Sequence, residues 1–155
     1  NPNIIQNFGA VKIEGSTSGD LIKIIALDNL DLQRCNLIKI DVEGMELQVL
    51  LGAEKTIRTC RPFLFVENNE LEVSPKLVQK LFDFGYKCWW QISSHYNPNN
   101  YFHNKENVWA NVMPDSNMLC VPEESNMNVN GFEPVINPSD NWVEALRRQG
   151  EISKA

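Results

Sequence analysis

The amino-acid sequence predicts an α/β fold in which helices pack against the faces of a mostly parallel sheet. Short apolar runs rich in β-branched residues alternate with segments whose apolar residues recur at helical spacing. The runs at 37–42 and 63–67 are mostly apolar, which is typical of strands buried on both faces. This order of elements indicates right-handed strand–helix–strand crossovers. The length of 155 residues suggests a single domain.

The strand predicted at 37–42 leads into a helix predicted over 44–59, whose apolar residues recur four positions apart. Pro62 ends this helix, because the residue before a proline is kept out of the α region. The later predicted elements are a strand at 63–67, a helix capped by Ser74 and ended by Gly85, strands at 86–92 and 118–121, and a short helix at 141–149. The polar segment 93–117 is predicted to be a long functional loop.

Two further segments frame this core. Residues 10–14 and 21–25 predict a β-hairpin. The predicted organisation is therefore a lead-in at 1–30, an α/β core at 31–122 and a C-terminal extension at 123–155. Because the chain begins with Asn-Pro rather than Met, we expect a fragment or a processed product.

Composition argues against several classes of protein. The net charge of −6 and the pI near 4.9, without a cluster of Lys and Arg, argue against a nucleic-acid partner. No apolar run approaches the roughly 20 residues that span a bilayer, and no secretory leader is recognisable. We therefore expect a cytoplasmic protein without membrane contact. The four cysteines form no C-x-x-C pair, which predicts reduced core residues rather than zinc ligands.

Polar side chains gather where the first two strands of the predicted core end. Asp41 and Glu43 follow the first strand, and Glu67, Asn68 and Asn69 end the second. Because the carboxyl ends of parallel strands share one edge of a sheet, ligands commonly bind there. Glu43, like Glu46 in the next helix, could instead favour the amino end of that helix. Asp41 is harder to explain structurally, since an acid directly after an apolar strand is costly.

The spacing of these residues resembles a known family. Residues 37–67 contain a D-x-E-G-x-E cluster, a Gly-Ala pair and a strand running from proline to glutamate, preceded by Leu-Asp at 27–28. This segment is similar to the hallmark of FkbM-type methyltransferases. The resemblance implies a Rossmann-like class I methyltransferase sheet whose last strand, at 118–121, is antiparallel. It also implies S-adenosylmethionine as cofactor and a hydroxyl of a sugar, polyketide or other small molecule as acceptor.

The resemblance places the chemistry at the shared strand edge. Asp41 is predicted to orient the acceptor or act as general base, with Glu43 and Glu67 assisting. The candidates for contacting the acceptor are Glu46, Asn68, His95, Tyr101 and His103. Tyr101 and Trp109 could equally anchor their loop on the core, so both interpretations stay open.

A metal ion is an alternative use of the same residues. Asp41, Glu67 and Asn68 resemble the layout by which catechol-type O-methyltransferases hold magnesium, and oxygen ligands suit that ion. Carboxylates gathered at a sheet edge are common without a metal, however. The prediction is a site without a metal ion, with Mg²⁺ as the alternative.

The glycine-rich turn of such enzymes is not recognisable ahead of the strand at 37–42. We therefore expect that the cofactor-binding half is missing, and that the isolated chain is inactive and binds S-adenosylmethionine weakly or not at all. An open strand edge also predicts homo-oligomers. Two rival interpretations remain. One is a non-catalytic binding or scaffold module that retains the sheet, and the other is a nucleotide-sugar enzyme, which would need a phosphate-binding turn too.

Overall fold

A computed structural model of the protein describes residues 22–150, in which five strands form one sheet and four α-helices join them. The strands are β1 (Leu37–Ile40), β2 (Phe63–Glu67), β3 (Tyr86–Ser93), β4 (Asp115–Pro122) and β5 (Glu133–Pro134). The helices are α1 (Glu46–Gly52), α2 (Glu54–Cys60), α3 (Ser74–Asp83) and α4 (Trp142–Gln149). Within 22–150, no helix has the length and apolar character needed to cross a bilayer.

The sheet has the strand order β1-β2-β4-β3-β5. β1 and β2 pair in parallel, whereas β4 runs antiparallel to both β2 and β3. β1, β2 and β3 therefore point the same way, and their carboxyl ends lie on one edge of the sheet. The mixed α/β fold is confirmed. The antiparallel strand predicted at 118–121 is also confirmed, and it is longer than predicted because β4 spans Asp115–Pro122. β5 was not predicted, because two residues that include a proline carry no strand periodicity.

The lead-in and the cysteines depart in part from the sequence predictions. Residues 1–21 lie outside the described part of the chain, and residues 22–25 of the predicted hairpin form no strand. All four cysteines are free, as predicted, but only Cys88 and Cys120 are buried in the core.

The helix predicted over 44–59 divides into α1 and α2 at Ala53. The Ala53 amide bonds to the carbonyl of Leu50, 3.3 Å away, instead of continuing the α-helical pattern. Gly52 packs against residue 26, since a Cβ added to it would lie 3.3 Å from the Cβ of Ala26. The Gly-Ala pair thus allows α1 to approach residue 26 closely. Because the helix is interrupted here, α2 begins with its own unsatisfied backbone N–H groups.

Asp28 satisfies those N–H groups from a distant part of the chain. Its carboxylate accepts hydrogen bonds from the backbone amides of Lys55 and Thr56, each at 2.8 Å, and from the Thr56 hydroxyl at 2.8 Å. Partial loss of hydration raises the pKa of Asp28, but these hydrogen bonds outweigh it and the pKa is lowered. Asp28 is therefore the cap of α2, which gives the Leu-Asp element of the sequence a structural role.

Replacing Asp28 with alanine is expected to lower the free energy of unfolding by about 1–2 kcal/mol at neutral pH, the usual cost of losing a helix cap. Because the folded state lowers the pKa of Asp28, its contribution is present above the ordinary value of 3.8 and is lost as pH falls below it. Urea unfolding at pH 7 and pH 3 measures both effects. Asp31→Ala is the control, since its ion pair with Lys55 is highly exposed and is expected to contribute little. Equal losses in the two variants would contradict the capping role.

Helix α3 begins at Ser74 with Pro75 in its first turn, but Ser74 is not its cap. Val73 occupies the cap position and no side chain caps the helix. The Ser74 hydroxyl is buried and accepts a hydrogen bond from the Asn68 side chain at 2.9 Å. The predicted capping role of Ser74 is therefore wrong, because its hydroxyl binds the segment that follows β2. Gly85 ends the helix as predicted, in the left-handed conformation with φ 73°.

The C-terminal extension is fastened to the sheet through Asp140. Asn141 caps α4 through its side chain, and Asp140, 5 % exposed, points into the core instead. The Asp140 carboxylate accepts hydrogen bonds from the Trp90 indole at 3.3 Å, the Ile136 amide at 3.0 Å and the Arg148 guanidinium at 2.9 Å. Burial raises the pKa of Asp140, but the hydrogen bonds from Arg148 and Ile136 outweigh this and lower it. α4 is thus tied to β3 by a buried charged group.

Candidate functional site

The carboxyl ends of β1 and β2 bring the predicted acidic residues together. Ile40 pairs with Val66 in the parallel register, so Asp41 and Glu67 leave the sheet side by side. Carboxylate oxygens of Asp41, Glu43 and Glu67 lie within 4.8 Å of one another. These three residues are called the acidic rim below. They are the three residues that the sequence predicts to be catalytic.

A strained turn between β1 and α1 presents Glu43. Glu43 has φ 54° and Gly44 has φ 94°, so two successive residues adopt left-handed backbone conformations. Such a conformation is uncommon for a residue other than glycine and is often found at functional sites. The carboxylate of Glu46 holds the turn, since its Oε1 accepts hydrogen bonds from the amides of Gly44 at 3.0 Å and Val42 at 3.3 Å.

Two residues predicted to contact the acceptor serve the structure around the rim. Glu46 is 5 % exposed and its carboxylate binds the turn. Asn68 is 3 % exposed, and its Nδ2 lies 2.9 Å from the Ser74 hydroxyl and 3.4 Å from the sulfur of Met118, a core residue. The side chain of Asn68 therefore packs inward. In the cluster that could share a hard cation, Glu43 stands beside Asp41 and Glu67 where the sequence suggested Asn68.

The carboxyl group of Glu67 has a raised pKa. Loss of hydration raises its pKa to about 7, and the neighbouring carboxylates of Asp41 and Glu43 add to this effect. The Asp41 side chain is 43 % exposed and pairs with the ammonium group of Lys39. A carboxyl group with a pKa near 7 can accept or donate a proton at neutral pH, so Glu67 is suited to acid–base chemistry.

Residues 94–114 leave β3 at the same edge as the acidic rim. β4 places Asn117 opposite both Glu67 and Gln91, which sets the ends of β2 and β3 next to each other. His95 lies at the base of this loop, where its Nε2 is 2.9 Å from the Met113 carbonyl and its ring centroid is 5.7 Å from that of Trp109. The loop therefore borders the edge of the sheet that carries the acidic rim.

The other aromatic and imidazole candidates of this loop lie further into solvent. Tyr101 is 89 % exposed and contacts Phe102 edge-to-face, with ring centroids 5.2 Å apart. Tyr101 therefore does not anchor the loop on the core. His103 is exposed and has a left-handed backbone with φ 53°.

The sequence analysis did not single out Lys39 or Asp115 as members of the site. Lys39 pairs with Asp41, and the charge of Asp115 contributes to the raised pKa of Glu67. Asn69 donates a hydrogen bond from its side chain to Glu67 at 2.7 Å. The proximity of Lys39 to Asp41 could have been predicted, because residues two apart on a strand lie on the same face of the sheet. The proximity of Asp115 to Glu67 depends on the register in which β4 pairs with its neighbours, and the sequence does not reveal that register.

The fold and the acidic rim define a mixed α/β protein with carboxylates gathered at the carboxyl ends of adjacent parallel strands. Residues 20–88, less than half of the chain, match the family model of the methyltransferase FkbM domain, which confirms the resemblance over that segment. The match includes the acidic rim and ends within β3, before the 94–114 loop. Comparison with curated proteins and with solved structures gave no match.

Proposed function

We propose that the protein is an S-adenosylmethionine-dependent O-methyltransferase that methylates a hydroxyl of a sugar, polyketide or other small molecule. The observation that carries this proposal is Glu67. Its carboxyl group has a pKa raised to about 7, chiefly by loss of hydration, and it lies at the shared strand edge within the segment that matches the FkbM domain. Methylation of a hydroxyl requires removal of its proton, which a base with that pKa performs well near neutral pH.

The described residues fit one end of the cofactor. S-adenosylmethionine supplies an electrophilic methyl group on a positively charged sulfonium, and the carboxylates of the acidic rim complement that charge. Its nucleoside end has no counterpart between residues 22 and 150. There, the turn from β1 to α1 contains one glycine, Gly44, and its neighbour Glu46 occupies the turn's amide groups.

The residues of the rim take separate roles in this proposal. Glu67 accepts the proton of the acceptor hydroxyl. Asp41, held by Lys39, orients that hydroxyl by accepting a hydrogen bond, and this position also keeps a negative charge beside Glu67. Glu43, fixed by the strained turn, closes the other side. The sequence left open whether Asp41 orients the acceptor or acts as the base, and the exposure and ion pair of Asp41 favour the orienting role.

The base of the 94–114 loop supplies a wall for the acceptor. His95 and Trp109 lie close together at 5.7 Å between ring centroids, and aromatic faces of this kind pack against sugar or polyketide rings. Tyr101 and His103 would contribute only when the exposed part of the loop folds toward a bound acceptor.

A methyl-transfer assay tests the proposal. The protein as its gene encodes it is incubated with S-adenosylmethionine labelled in the methyl group and a panel of sugar and polyketide alcohols, with EDTA or with added Mg²⁺. We expect a labelled methyl ether. Equal rates in EDTA and in Mg²⁺ would show that the carboxylates remove the proton without a metal ion. Loss of activity in EDTA would show that the acidic rim binds a cation instead. Binding of an acceptor without any transfer would favour a non-catalytic binding module.

A further inference from the structure

The side chain of Asn69 lies between the acidic rim and β4. Its Nδ2 is 2.7 Å from Oε1 of Glu67, and its Oδ1 is 2.7 Å from the backbone nitrogen of Ser116. Its own carbonyl accepts a hydrogen bond from the indole N–H of Trp142 at 3.2 Å. Three elements of the fold, namely β2, β4 and α4, thus meet at this one residue.

The contact with Ser116 fixes the orientation of the Asn69 amide. A backbone N–H can only donate, so the atom of Asn69 that faces Ser116 must be the oxygen. The amino group must then face Glu67 and donate to it. Ser116 is fully buried, and its carbonyl accepts a hydrogen bond from the Asn68 amide at 2.8 Å. The Ser116 amide that orients Asn69 is therefore part of the sheet.

From this arrangement we infer that Asn69 is a positioning residue that holds Oε1 of Glu67 as a permanent hydrogen-bond acceptor and leaves Oε2 to take up and release the proton. The inference rests on the proposed role of Glu67 as the base. Protonation of Oε1 is disfavoured, because this oxygen already accepts a hydrogen bond from a fixed donor and the added proton would face the N–H group of Asn69. Asn69 thereby determines which oxygen of Glu67 presents itself to the acceptor.

The variant Asn69→Asp separates this role from a structural one. An aspartate keeps an oxygen facing the Ser116 amide, but it replaces the donor to Glu67 with a second carboxylate oxygen. Carbon-detected NMR of the 155-residue chain with labelled glutamate carboxyls should show the pKa of Glu67 rising by about one unit or more, because a like charge then lies at hydrogen-bonding distance. Protection of the Ser116 amide from hydrogen exchange should be unchanged.

Asn126→Asp is the matched control. Asn126 is exposed and follows β4 at the opposite edge of the sheet, so the same change in charge should leave the titration of Glu67 unaltered. An unchanged Glu67 titration in Asn69→Asp, with the Ser116 amide still protected, would overturn the inference.

A measurement on the unaltered chain removes the dependence on the variant's folding. The side-chain N–H resonances of Asn69 should titrate with the same midpoint as the Glu67 carboxyl carbon, and flat resonances across that range would also overturn the inference. Neither measurement requires methyl transfer, so a failure of the proposed function and a failure of the positioning role remain distinguishable.

Discussion

Replacing Glu67 with glutamine is expected to reduce the rate of methyl transfer by about 10²–10³-fold, because the amide cannot accept the hydroxyl proton. The side chain keeps its size and its contact with Asn69 can be retained by rotation of the amide, so the fold should be preserved. Steady-state assays with the acceptor identified by the labelled-methyl experiment measure the effect. Glu123→Gln is the control, since Glu123 is exposed at the opposite edge of the sheet and should retain full activity.

The pH dependence gives this prediction a second readout. Because Glu67 acts in its ionised form and its pKa is about 7, the rate should rise with pH through neutrality and level off above it. Asp41→Asn removes one of the negative charges that raise this pKa, so the midpoint should move to lower pH. A profile that keeps its midpoint in Asp41→Asn, or full turnover in Glu67→Gln, would refute the assignment of the base.

Replacing Asp140 with alanine is expected to destabilise the protein by about 3–5 kcal/mol, the largest effect on stability that we expect from one side chain. The change removes a buried acceptor from the Trp90 indole, the Ile136 amide and the Arg148 guanidinium. These donors are then left without their partner, and an unpaired buried donor costs more than an average hydrogen bond contributes. Urea unfolding followed by tryptophan fluorescence measures the loss.

A double-mutant cycle separates the ion pair from the neutral hydrogen bonds. If the pair with Arg148 dominates, Asp140→Ala should cost much less in a protein that already carries Arg148→Met. Glu144→Ala serves as the control, because Glu144 is about half exposed in its pair with Arg147 and such pairs contribute little. A similar loss in the Glu144 and Asp140 variants would show that burial of Asp140 is not what matters.

The order of strands and helices could be predicted because each element has its own local signal. The apolar runs of β1 and β2, Pro62 and Gly85 predicted the boundaries of the first two strand–helix units closely. The break at Ala53 could not be predicted, since it depends on the contact between Gly52 and Ala26. Similarly, the cap of α2 comes from Asp28, 27 residues before Lys55, and no local pattern reveals such a pairing.

The acidic rim was predictable for a different reason. Parallel strands place their carboxyl ends on one edge of the sheet, so the sequence alone predicts that the residues following these strands lie close together. That the pKa of Glu67 is raised to about 7 could not be predicted, because the shift depends on the burial of Glu67 and on the carboxylates that the fold places around it. Asn68 and Asn69 show the same limit, since neighbours in sequence point in opposite directions from a strand end.

The insertion of β4 between β2 and β3 has a consequence for folding. The backbone of Asp41 to Asn69 can form early, since β1, α1, α2 and β2 are close in sequence. The Ser116 amide that orients Asn69 lies 47 residues further on and is reached only after the 94–114 loop closes. As the chain emerges during synthesis, we therefore expect the carboxylates to come together first and the Ser116 amide that orients Asn69 to join them afterwards.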